Sequence, residues 1–218
     1  MNIFFIDFET TGLNPYHNDP IEIAIKKYGS EEYYESFIKP SFNGIHYQYV
    51  PEKITNITGI TDNDIINHSK TPHDVIYNII QFIKKHSCNG PIYILAHNGN
   101  MFDFIIFRKM IYEYNNQDKT ITRNMALNKG ILKRLKYIDT VLVSRLLLKD
   151  ETVRQSNLCK KYNIINDSEH RAYGDIIALE KIYIQLCTNL SYISRKNDKD
   201  YYINHPEELL QETTFINF

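Results

Sequence analysis

The chain has no tryptophan, only three cysteines and no large excess of charge of either sign. Cys88, Cys159 and Cys187 lie far apart and form no CxxC pair. That argues against a disulfide framework and against a zinc or thiol-nucleophile site, and leaves the thiols as small packing residues in a reducing compartment. Lys plus Arg number 25 and Asp plus Glu 26, for a formal net charge of −1. A broad basic face for phosphate is therefore not written into the composition, although a local patch or a bound cation still serves nucleic acid. No apolar run approaches the roughly 20 residues needed to span a bilayer. The start, MNIFFIDFE, lacks the basic lead and small-residue cleavage site of a signal peptide. An intracellular, cytoplasmic protein without membrane contact is expected.

What is present is ordinary for a folded domain: 218 residues, 43% hydrophobic and 23% charged. That length suits one domain with a real core and a short appendage. Ile3 to Phe8 is apolar until a carboxylate interrupts it, as in a central strand buried on both faces. Ile21 to Tyr28 and Tyr33 to Ile38 read as a hairpin around Gly29-Ser30. Short helices are expected at 51–57 and 62–66. Thr71-Pro72 is a helix start, and Val75, Ile76, Ile79, Ile80 and Ile83 follow at helical spacing. Ile92 to Ala96 is a second strand, Phe102 to Tyr114 a helix and Leu135 to Ile138 a third apolar strand, after which Asp139 caps a helix. Further helices are expected at 153–162, 172–186 and 206–211. The order predicts an α/β fold: a central mixed five-stranded sheet flanked by helices. Residues 1–188 form the expected domain and 189–218 a tail or extension.

Ligands of open α/β sheets gather beyond the carboxyl ends of the strands. Asp7 and Glu9 stand at that end of the first strand and, two apart, share one face. Burying two like charges side by side costs several kcal/mol unless a basic partner, protonation, solvent or a metal relieves it. Taken alone, the pair reads better as a solvated strand end than as a metal site. Asp103 follows the turn His97-Asn98-Gly99 in the first turn of a helix, and Asp175 follows His170 at the start of another. Each alone reads as a helix-start charge favoured by the dipole. Together the four carboxylates can converge on hard divalent cations, and four carboxylates with two such ions sum to zero charge. His170 is of the residue type suited to general-base work near neutral pH.

The segments FFIDFETTGLNP, AHNGNMFDFIIF and HRAYGDIIAL resemble, in order and spacing, the three motifs of the DnaQ-like (DEDDh) 3′–5′ exonucleases, over residues 3 to 187. The resemblance implies an RNase H-like fold and metal-dependent hydrolysis of DNA from its 3′ end, single-stranded or frayed, releasing nucleoside 5′-monophosphates. It implies Asp7, Glu9, Asp103 and Asp175 as ligands of two Mg²⁺ or Mn²⁺ ions, with His170, five residues before Asp175, as the base. It also implies Thr11, Gly12, Leu13, Ile60, His97 and Asn98 as substrate-binding residues, Leu13 and Ile60 gripping the terminal base and backbone amides at 11–13 holding the 3′-OH. Expected partners are nucleic acid 3′ ends and, in trans, a polymerase. A 3′–5′ exoribonuclease and a catalytically silent nucleic-acid-binding module on the same fold are the alternatives. Lys129, Lys133, Arg134 and Lys136 are candidate backbone contacts, and Phe215 and Phe218 a candidate partner contact.

Overall fold

A computed structural model describes residues 1–40, 50–117, 129–149 and 152–214. The expectations for Phe215 and Phe218 lie outside these residues. Five strands form one sheet: β1 (Ile3–Thr10), β2 (Pro20–Lys27), β3 (Tyr33–Phe37), β4 (Ile92–Ala96) and β5 (Leu135–Asp139). Their order is β3-β2-β1-β4-β5. β1–β2 and β2–β3 are antiparallel, β1–β4 and β4–β5 parallel. The sheet is therefore mixed, as expected.

Helices α1 (Glu52–Thr58), α2 (Asp62–His68) and α3 (Pro72–His86) fill the crossover from β3 to β4. α3 starts where the sequence says it should: the Thr71 hydroxyl accepts from Asp74 N–H, Pro72 takes the first turn, and the five-residue aliphatic stripe is buried. α4 (Asp103–Gln117) links β4 to β5, and α5 (Thr140–Leu147), α6 (Gln155–Lys161), α7 (Ala172–Ile193), α8 (Tyr201–Asn204) and α9 (Pro206–Thr214) follow.

Alternation along β1 divides the interior. Phe4, Ile6 and Phe8 pack with the α3 stripe and with Phe104 and Phe107 of α4. Ile3 and Phe5 pack with α7, on Ile176, Leu179 and Tyr183. Asp7 and Glu9 continue the second set, so they face α7. Part of the expected tail or extension joins this core: α7 runs on to Ile193, and Tyr202, Ile203 and Leu209 are buried in the same cluster. The three thiols are free, Cys159 and Cys187 buried among apolar residues and Cys88 exposed. None of the helices formed by the described residues is long and apolar enough to cross a membrane.

Candidate active site

β1 outruns its parallel neighbour. The β1–β4 ladder pairs Ile3 to Phe5 with Tyr93 to Leu95, so the end of β1 needs another partner on that side. Asp103, first residue of α4, supplies it: its Oδ1 accepts from Phe8 N–H at 3.1 Å. The buried amide is satisfied, and a buried carboxylate is fixed against the backbone of Phe8, the residue between Asp7 and Glu9 in sequence. The turn before α4 is held by Asp139 at the end of β5, which accepts from the N–H groups of Asn98 (2.9 Å) and Asn100 (3.0 Å) and caps α5 through Val141 N–H. Asn98 has φ +63°, the left-handed turn that Asn-Gly suggested. Gly99 is required for contact instead, because a Cβ there would lie 2.6 Å from the Phe104 ring.

On the opposite side α7 is locked to β2 at two points. Glu22 receives Arg171 (Nη2–Oε1 2.6 Å, Nε 3.2 Å) and Ala172 N–H (3.0 Å), and Lys26 binds Glu180 at 2.6 Å. Four strand residues and nine helical residues each span roughly 13 Å, so the two pairs fit together only in one axial position of α7. That position sets Asp175 against β1. Glu22 also lies directly across from Glu9 in the antiparallel register, a like-charge pairing that Arg171 offsets.

Carboxylate oxygens of Asp7, Glu9 and Asp175 lie within 4.8 Å of one another. Such crowding in a buried place favours the neutral acids. Burial first, then Asp103, Asp175 and Glu9, raise Asp7 well above the carboxylate range. Glu9 is pushed up to about 8, by burial and then by Asp175 and Glu22. Burial raises Asp103 to about 7 against its bonds from backbone N–H groups, and Asp175 to about 6 against those from Asn166 and His170. Hard oxygen donors at this spacing, each disfavoured as a bare anion, fit a metal ion. Asp103 stands outside that tight triad but adjoins it through Phe8.

His170 is brought beside the triad by its backbone. It has φ +65°, its N–H donates to Asp175 Oδ2 at 3.0 Å, and its imidazole is half exposed, with Nε2 3.9 Å from Glu169. Gly174 permits this closure: a Cβ there would lie 2.4 Å from the Ser168 carbonyl oxygen. A cavity of about 370 Å³, lined by Asp7, Ser156, Lys160, Ile164, His170 and Asp175, opens from the triad.

The substrate-side expectations are placed differently. Leu13 is 90% exposed in the loop after β1. Ile60 is 1% exposed, packed with Ile21 and Val50, and is therefore a core residue with no free face for a base. Thr11 N–H donates to Asp19 O and its hydroxyl accepts from Asp19 N–H, so it fastens the loop and has no amide to offer a 3′-OH. Gly12 is the close-packed point of that loop, where a Cβ would lie 2.7 Å from the Asn18 side chain. His97 bonds Val153 O through Nε2 (2.7 Å) and Thr140 Oγ1 through Nδ1 (2.9 Å). A carbonyl can only accept, and burial lowers the His97 pKa, so the ring is neutral with its proton on Nε2. It is an internal brace, not a substrate contact. Arg134 donates to Gly90 O at 2.6 Å and to Cys88 O, and so closes a loop rather than facing a phosphate. Glu22, Gln155 and Asn166 carry no motif signal; only the folded contacts reveal them.

A mixed β3-β2-β1-β4-β5 sheet with acids converging at the end of its first strand is an RNase H-like arrangement. The RNase T exonuclease model matches residues 4–183, and the chain belongs to that exonuclease family. The DNA polymerase III PolC-type of Ureaplasma parvum is 30% identical over 194 residues, which are 84% of this chain and 11% of that polymerase. That of Thermotoga maritima is 27% identical over 183 residues, 83% of this chain and 11% of the polymerase. The chain thus spans only a small part of the curated relatives it matches. Among solved structures, E. coli exonuclease I in complex with a dT13 oligonucleotide superposes with TM-score 0.66 and 18% identity, covering 93% of this chain and 43% of that one. The zinc-bound form of the same enzyme with single-stranded DNA gives 0.64 and 19%. At that identity the likeness is one of fold.

Proposed function

We propose that the chain hydrolyses DNA from the 3′ end, on single strands or frayed ends, and releases nucleoside 5′-monophosphates. The observation that carries this reading is the meeting of Asp7, Glu9 and Asp175 within 4.8 Å, with Asp103 tied to the same strand. These four side chains would hold two Mg²⁺ or Mn²⁺ ions, which supply charge stabilisation to the attacking and leaving oxygens of an in-line displacement. His170 takes the proton of the attacking water, and its backbone bond to Asp175 keeps it at the edge of the site. Leu13, exposed beside the end of β1, packs on the terminal base without reading its edge, so cleavage is largely independent of sequence. A polymerase is the partner suggested by the curated relatives, whose names are those of DNA polymerases.

The test is degradation of 5′-labelled single-stranded DNA, duplex DNA and RNA with Mg²⁺ or Mn²⁺. Asp7→Asn and His170→Ala are each expected to remove most turnover while leaving the far-ultraviolet circular dichroism unchanged. Full activity in either variant refutes the site. Preference for RNA would move the reading to an exoribonuclease, and binding without cleavage to a silent module.

A further inference from the structure

Asp175 is the most elaborately held of the four acids. Its Oδ1 accepts from Asn166 Nδ2 at 2.8 Å and from Gln155 Nε2 at 3.3 Å, and its Oδ2 accepts from His170 N–H. Gln155 Nε2 also donates to the Asp175 carbonyl oxygen at 3.0 Å, so one amide group grips both the carboxylate and its backbone. We propose that Gln155 and Asn166 are positioning residues for the metal site: together they turn Asp175 so that Oδ2 is the oxygen it offers to a cation. This rests on the metal-dependent reading above and deepens it.

Three observations carry the assignment. First, a carboxylate oxygen accepts about two bonds comfortably, and Oδ1 already has two side-chain donors, whereas Oδ2 has a single backbone donor and keeps a lone pair free. Second, both donors on Oδ1 are neutral amides. A lysine or arginine there would bind the carboxylate more strongly but would place a positive charge where a cation must go. An amide orients the oxygen and leaves the local negative charge intact. Third, the two donors arrive from separate elements that are themselves fixed. Gln155 is the first residue of α6, and the segment leading into it is anchored by His97, whose Nε2–H donates to Val153 O. His97 in turn continues β4 and meets Thr140 at the start of α5. Asn166 comes from the loop that carries His170, and its own Oδ1 accepts from Ser168 N–H at 3.2 Å, which leaves its amide nitrogen directed at Asp175. The carboxylate on α7 is thereby indexed to the ends of the strands as well as to its own helix.

The experiment is Mn²⁺ binding to the full chain without nucleic acid, read from the electron paramagnetic resonance signal of free Mn²⁺, beside turnover as a function of Mn²⁺ concentration. Gln155→Ala and Asn166→Ala are each expected to weaken Mn²⁺ binding roughly 10- to 100-fold. The half-saturating Mn²⁺ concentration for turnover should rise in parallel, while turnover at saturating Mn²⁺ falls by less than about threefold. A role confined to folding would instead lower the melting temperature of the metal-free protein and leave metal affinity of the folded fraction unchanged. Asn166→Leu, close in shape and neutral but lacking the donor, should lose about as much affinity as Asn166→Ala and guards against failure of the alanine variants to fold. Unchanged Mn²⁺ affinity in folded Asn166→Leu and Gln155→Ala overturns the assignment alone. Absence of Mn²⁺ binding by the unaltered chain overturns the metal-dependent reading, and the assignment with it.

Discussion

Metal binding should displace protons, and the acids fix how many. Without a cation, Glu9 is held up to about 8, Asp103 to about 7 and Asp175 to about 6, while Asp7 is raised well above the carboxylate range. At pH 7 Glu9 then retains roughly nine-tenths of a proton, Asp103 about half and Asp175 about a tenth. A divalent ion requires the ionised forms, so saturation at pH 7 should release at least about 1.5 protons from these three. Two consequences have definite signs. Apparent affinity for Mn²⁺ should rise with pH between about 6 and 8, by about a hundredfold per unit where two protons are released. The metal-free fold should lose stability as pH rises from about 4.5, the ordinary glutamate value, to about 8, because the native state binds more protons than the unfolded chain across that window. Calorimetric titration with Mn²⁺ at pH 7 in two buffers of different protonation enthalpy counts the protons directly. Release of fewer than about 0.5 proton, or an affinity independent of pH from 6 to 8, would refute the claim that burial and mutual repulsion keep these acids partly neutral.

Other perturbations test the surrounding frame. Arg171→Ala leaves Glu22 buried and unpaired; breaking a fully buried pair costs roughly 3–5 kcal/mol, and the 43% exposure of the Arg171 side chain reduces that to about 1–3 kcal/mol by urea unfolding. Gly174→Ala drives a methyl group into the Ser168 backbone and should lower turnover at least about tenfold by displacing His170, although alanine is the better helix former by about 1 kcal/mol. Leu209→Ala should cost about 2–4 kcal/mol in a single cooperative transition, which would show that α9 belongs to the same core; a separate low-stability transition would contradict that. Leu13→Ala should leave stability within about 0.5 kcal/mol yet raise KM for single-stranded DNA roughly tenfold, the worth of about 1.4 kcal/mol of apolar contact.

The parts of this molecule that repeat a pattern were legible in its sequence. Ile92 to Ala96 is a strand because it is a short apolar run between turn signals, and α3 is a helix because its aliphatic stripe follows a Thr-Pro start. Asp7, Glu9, Asp103 and Asp175 stood out because acids interrupt an apolar strand or open helices, and His170 because it precedes Asp175 by five residues. Directions were not legible. Ile60, Thr11 and His97 are of the right residue types for substrate contact, but sequence does not say which way a side chain points, and here all three point inward. Asn189 looked like the start of a polar tail, yet α7 continues because Leu190 and Ser191 still face the core. Glu22, Gln155 and Asn166 are ordinary polar residues whose roles exist only across contacts separated by 149, 20 and 9 positions.

The frame also explains why the acids sit on regular elements and not on loops. Four carboxylates that repel one another would splay apart if the chain allowed it. β1 is buried on both faces up to Ile6, α7 is registered on β2 by two ion pairs, and α4 is pinned through Asp103 to Phe8 and through Asp139 to its preceding turn. None of the acids can retreat, so their repulsion is held in place by the core, and a cation relieves it without rearrangement. Glu22 would be a fifth acid in this neighbourhood, directly across from Glu9. Its bidentate pairing with Arg171 neutralises its charge in the overall count, though Glu22 still helps to raise Glu9, and at the same time fixes the start of α7. What remains is four carboxylates, the charge that two divalent cations cancel.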